Sequence, residues 1–167
     1  MKFVPFFIAA SICLHGQNPL TDIVKARYES VKQNLIASAE AMPETEYNFK
    51  LTPAQRPFGK WIEHTIDMTY SGCSSMRGLT HLMRPAPDDN KASLVEVLKK
   101  AFEYCDESLK DMTDQKALTE VPMGDKKVYP VTYMVSLVSG LNEHYGNVVG
   151  YLRTKGITPP SSAHAGH

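Results

Sequence analysis

Two histidines at helical addresses are the residues in this chain whose type and spacing could do chemistry. His144 stands in "SLVSGLNEHYGNVVGYLRTKGITPPSS", on a helix face otherwise made of Met134, Leu137, Leu141, Val148 and Tyr151. His64 stands in "FGKWIEHTIDMTYSGCSSMRG", on a face shared with Phe58, Trp61, Thr65 and Met68. Neutral imidazole is a common ligand for zinc, nickel or iron, so two inward histidines from different helices could meet around one divalent ion. The plainer alternative is that each is a hydrogen-bonded core histidine. Position 140, one helical turn before His144, is glycine. Other chemistries have less support. There is no CxxC or Cys/His zinc pattern, which argues against structural zinc of the thiolate type, and no nucleophile elbow that would support a Ser/His/Asp triad.

The elements that must position these residues read as four long amphipathic helices. The first starts at Asn18 and Pro19 and runs to Pro43, with an inward stripe of Leu20, Ile23, Val24, Arg27, Tyr28, Val31, Leu35 and Ala39. The proline-rich stretch "PETEYNFKLTPAQRP" has no helical period and reads as a connection. A second helix opens near Pro57, with Gly72 and Gly78 weakening its later part. After the loop "LMRPAPDD", a third helix turns Leu94, Val97, Leu98, Ala101, Phe102, Cys105 and Leu109 inward. Its Glu96–Lys100 pair is a solvated-face ion pair. In the next connection the "GDKK" turn between short apolar pieces is compatible with local extended structure. The last helix runs from Pro130 to a glycine stop at Gly156, with Pro159 and Pro160 just beyond. With no strand-rich region and no internal repeat, the expected fold is all-α: an up-down-down-up or similar four-helix bundle.

Composition fits one domain. The chain has 167 residues, 43% of them hydrophobic, and equal numbers of acidic and basic residues, 18 of each. That balance leaves no basic field for phosphates or anionic lipid, so no nucleic-acid partner is expected. The N-terminus, "MKFVPFFIAASICLHGQ", has a lysine, an apolar run from Phe3 to Leu14, and then small and polar residues. It reads as a signal peptide over residues 1–16, which implies an exported, periplasmic or secreted protein. The apolar run is shorter than the ~20 residues a bilayer core needs, so no stable membrane anchor is expected. The bundle then occupies 17–162, and 163–167 is a flexible tail. Export would permit Cys73 and Cys105 to pair. They fall on different helices with no framework spacing, and the reading favours two unpaired buried thiols.

Two blocks, "LTPAQRPFGKWIEHTIDM" and "LNEHYGNVVGYLRTKGITPPSS", resemble the DinB-like superfamily of bacterial four-helix bundles. The resemblance extends from Pro19 to Ser162, and an exported branch fits the N-terminal segment. It implies a metal site of three histidines, one from the second helix and two from the fourth in an H-x-x-x-H pattern. Residues at i and i+4 lie one above the other on a helix, so both imidazoles can reach one ion. A third ligand from across the bundle leaves positions open for water or substrate. Carried over, the ligands are His64 and His144, and Gly140 stands where the other histidine would be. Two imidazoles hold a divalent ion much more weakly than three. Substitutes to consider are Glu143 and Asp67, each of which could instead hydrogen-bond a ligating histidine, and His81, His164 or His167.

Relatives in the superfamily include thiol-dependent S-transferases and an isomerase, so a metal-dependent hydrolase or transferase is one expectation. A non-catalytic binding module with a degenerate histidine site is the other. Tyr151, Tyr145 and Trp61 read as core or rim aromatics, and Arg153 as a residue capping the last carbonyls. Bundles of this type often pair through exposed helix faces, so a homodimer is an expected assembly.

Overall fold

The computed structural model describes residues 18–80 and 84–163. The candidate signal segment 1–16, His81 and the tail histidines His164 and His167 lie outside the described residues. Four long helices carry the fold: α1 Pro19–Ala41, α2 Phe58–Met76, α3 Lys91–Leu109 and, after the short α4 Asp114–Ala117 and the hairpin β1 Val121–Met123 and β2 Lys126–Val128, α5 Pro130–Thr154. A last turn, α6, spans Pro160–Ala163.

Side-chain contacts give the directions of the helices. Lys60 near the start of α2 pairs with Asp89 just before α3, and Cys73 late in α2 meets Cys105 late in α3, so these two helices run parallel. Lys91 at the start of α3 donates to the carbonyls of Glu40 and Met42 at the end of α1, which makes α1 antiparallel to α3. Trp61 early in α2 bonds Tyr151 late in α5, so α5 is antiparallel to α2. The result is an up-down-down-up bundle in which α2 packs between α3 and α5, and α1 closes the ring from the other side.

The sequence pattern explains most of the burial. All seven inward residues of α3 are buried. On α1, Tyr28, Val31, Leu35 and Ala39 are core, but Ile23 is 64% exposed and Arg27 faces solvent. The apolar stripe therefore begins a turn later than its period suggests. The start of α1 is instead held by the chain beyond α3: Asp114 accepts from the Leu20 and Thr21 amides, and Asn18 Oδ1 accepts from the Asp114 amide. Two helix starts thus cap each other across the fold, satisfying donors that a helix terminus leaves open.

One further departure matters. Cys73 and Cys105 are disulfide-bonded, with Cα atoms 5.3 Å apart, which corrects the expectation of unpaired thiols. Parallel packing of α2 and α3 puts the two residues at the same height on facing stripes, a distance typical of a disulfide. After α5, the Tyr145 hydroxyl donates to Ser161 Oγ and accepts from the Ser161 amide, which ties the α6 turn to the bundle. Gly156, at φ +71°, supplies the left-handed stop that ends α5. Among the described residues, no helix is long and apolar enough to cross a membrane.

Candidate functional site

The antiparallel α2–α5 seam brings the two sequence-selected histidines together. Their imidazole centroids are 4.7 Å apart, with the ring planes inclined by 28°. Trp61, one turn before Thr65 on α2, stands edge-on to His144 at 5.5 Å, and the Arg56 guanidinium lies 5.2 Å from the centre of its indole. Trp61 Nε1 donates to the Tyr151 hydroxyl, which donates in turn to the Arg56 carbonyl. The aromatic wall of the site is thereby fixed to the connection before α2, and an amphipathic ring keeps its polar end satisfied while its body packs.

His144 is nearly buried, at 5% exposure, and His64 half-buried. The Thr65 hydroxyl donates to the Trp61 carbonyl at 2.8 Å and lies 3.1 Å from His144 Nδ1. With its proton committed to the backbone, Thr65 Oγ1 accepts, which assigns the hydrogen of His144 to Nδ1 and leaves Nε2 with a free lone pair. Burial, with further contributions from His64 and the Arg56 charge, lowers the His144 pKa to about 4. His144 is therefore neutral near pH 7, with a nitrogen available for coordination or for accepting a hydrogen bond.

The other sequence candidates are elsewhere. Asp67 is ion-paired with Arg84, beside a polar cavity of about 260 Å³ that Tyr70, Ser71 and Ser74 also line. Glu143 is exposed, its backbone carbonyl accepting from the Asn147 side chain. Among the described residues, no group of three His, Cys, Asp or Glu side chains is placed to hold an ion. Neither carboxylate joins the pair of histidines.

Gly140 lies against α2. A Cβ built there would be 2.6 Å from Met68 Sδ and 3.3 Å from its Cε, so the Met68 thioether rests on the bare backbone of the glycine. Met68 is four residues after His64, as Gly140 is four before His144. The sequence places Met68 on the histidine face and gives it no further role. The signal that distinguishes it is its pairing with a glycine across the seam, which the sequence does not display.

A model of the DinB superfamily matches residues 27–145. The chain belongs to the DinB superfamily. Among solved structures, this DinB chain is similar to a DinB-like protein from Bacillus cereus, at 15% identity and a TM-score of 0.68, covering 83% of this chain and 95% of that one. It is also similar to a DinB-like protein from Bacillus subtilis, at 16% identity and a TM-score of 0.66, covering 81% and 93%. At such identities the likeness is one of fold. No curated protein matches the sequence.

The three-histidine divalent site that the resemblance implies does not fit the residues present. Two donors are in place, position 140 offers no side chain, and the volume beside it is filled by Met68.

Proposed function

We propose that this DinB-superfamily chain is an exported bundle whose histidine pair is the remainder of a metal site, and that it serves as a binding module rather than as a divalent-metal enzyme. The observation that carries this reading is Met68 packed on Gly140, because a third imidazole could enter only by displacing the thioether. A site of two neutral imidazoles, with Asp67 engaged by Arg84 and Glu143 exposed, lacks the charge and ligand number that a zinc, nickel or iron ion needs for tight binding. Export draws support from the N-terminal pattern over residues 1–16 and from the Cys73–Cys105 disulfide, since such bonds persist in oxidising compartments.

The competing reading is a metal-dependent hydrolase or thiol-dependent transferase with a substitute third ligand. It draws on the lone pair that Thr65 leaves free on His144. Metal analysis of the untagged protein after separate incubation with zinc, nickel, manganese and iron decides between the two. We expect well under one ion per chain after desalting. Close to one ion, lost in His64→Ala, would overturn the binding-module reading and make a substrate screen worthwhile.

A further inference from the structure

We propose that His64, His144 and Met68 form a site for monovalent copper, with Gly140 as the residue that admits the thioether to the seam. The proposal rests on the reading above that the divalent three-histidine site has been lost, and goes beyond it by naming the ligand class that remains.

The donor set is unusual in being wholly neutral. His64 and Met68 occupy i and i+4 on α2, so their side chains lie one above the other on the face toward α5. His144 reaches the same face from α5, with its Nε2 lone pair left free by the Thr65 contact at Nδ1. Met68 Sδ takes up the space from which an imidazole at 140 would have to start. The histidine missing from the family pattern is thus replaced in space by a sulfur from the opposite helix.

Chemistry then selects the ion. Thioether sulfur is a soft ligand that favours cuprous copper, whereas divalent zinc, iron or manganese gains more from carboxylate, thiolate or additional imidazole. Among the described residues no carboxylate joins the pair, and the Arg56 guanidinium stacked on Trp61 adds positive charge near His144, which penalises a divalent ion more than a monovalent one. Cuprous copper also tolerates the low coordination number that three donors provide. The two described cysteines do not compete, because they are bonded to each other. A methionine used only as gap filler would explain the packing, but not its place four residues after one histidine and against the glycine four residues before the other.

The test is an anaerobic titration of the untagged protein from Gln17 onward, which leaves out Cys13 with the candidate signal segment, using cuprous ion against bicinchoninate, with ascorbate as reductant and a thiol assay showing that Cys73 and Cys105 remain paired. About one copper per chain is expected. Met68→Leu, a volume-conserving change that keeps the fold, should weaken binding about tenfold or more, and His64→Ala should abolish it. X-ray absorption at the copper edge should show one sulfur and two nitrogen neighbours, with the sulfur lost in Met68→Leu. No bound copper, equal affinity in Met68→Leu, a shell without sulfur, or copper retained in His64→Ala would each overturn the proposal. Failure of copper binding with no zinc bound leaves the lost-site reading standing, whereas one tightly held zinc sinks that reading itself.

Discussion

Helix α2 has two seams, and they are built on opposite principles. Toward α3 it is locked: Cys73 is bonded to Cys105, Tyr70 packs on Tyr104 with centroids 5.4 Å apart, and Ser74 shares a hydrogen bond with the Tyr104 hydroxyl. Toward α5 it is spaced by glycines, Gly72 against Leu137 and Gly140 against Met68, and it carries the imidazoles, Thr65 and the Trp61–Tyr151 bond. The first seam has one stable arrangement. In the second, the flexible end of a thioether rests on a bare backbone, with no covalent bond between the helices. The difference teaches that the same helix is fastened covalently on one face and holds the histidine pair on the other.

Breaking the locked seam should have the largest effect. A bond that joins residues 32 apart in sequence constrains the unfolded chain by roughly 3–4 kcal/mol on a chain-entropy estimate. We expect Cys73→Ala/Cys105→Ala to lower the urea midpoint accordingly. The α2–α5 contacts should survive in the folded variant, seen as an unchanged Trp61 emission. A loss of stability below about 1 kcal/mol would show that packing, not the bond, holds the α2–α3 seam.

The histidine seam should respond to acid where the locked seam does not. His144 has its pKa lowered to about 4 in the fold, against 6.5 for the ordinary side chain. Between those values the unfolded chain binds the proton and the native chain does not, so stability falls as pH drops from about 6.5 to 4, by on the order of 3 kcal/mol. Below about 4 this contribution is fully lost and changes no further. Unfolding midpoints at pH 7, 5.5 and 4.5 should show the slope in the native sequence, and His144→Leu should flatten it. An equal slope in both would place the acid sensitivity on another group.

The smallest effect sharpens the account of the glycine. Gly140→Ala should change stability by less than about 1 kcal/mol, because better helix propensity is offset by pushing Met68 aside. In a Met68→Ala background the same change should stabilise by about 1 kcal/mol, since the obstruction is gone. A double-mutant cycle measures the coupling directly. Additive effects would mean that the thioether does not rest on position 140 in solution.

The long helices were legible because apolar residues recur at helical steps over many turns, and because Pro19, Pro130 and Gly156 punctuate them where the fold starts and stops its helices. His64 and His144 were legible as inward residues for the same reason. The disulfide was not, because pairing depends on α2 and α3 running parallel at one height, and no local pattern encodes that direction. Nor was the mutual capping of Asn18 and Asp114, which are 96 residues apart in sequence.

Residue types and their periods determined, by themselves, four amphipathic helices, an inward histidine on two of them, and a glycine one turn before the second histidine. Tertiary structure alone decided that the two imidazoles stack, that Thr65 assigns the His144 tautomer, and that the space beside Gly140 belongs to Met68. The physical reason is range. Periodicity acts within one helix and selects which face turns inward, whereas a donor set is assembled from facing helices, whose relative direction and height are set only by the packing of the whole bundle.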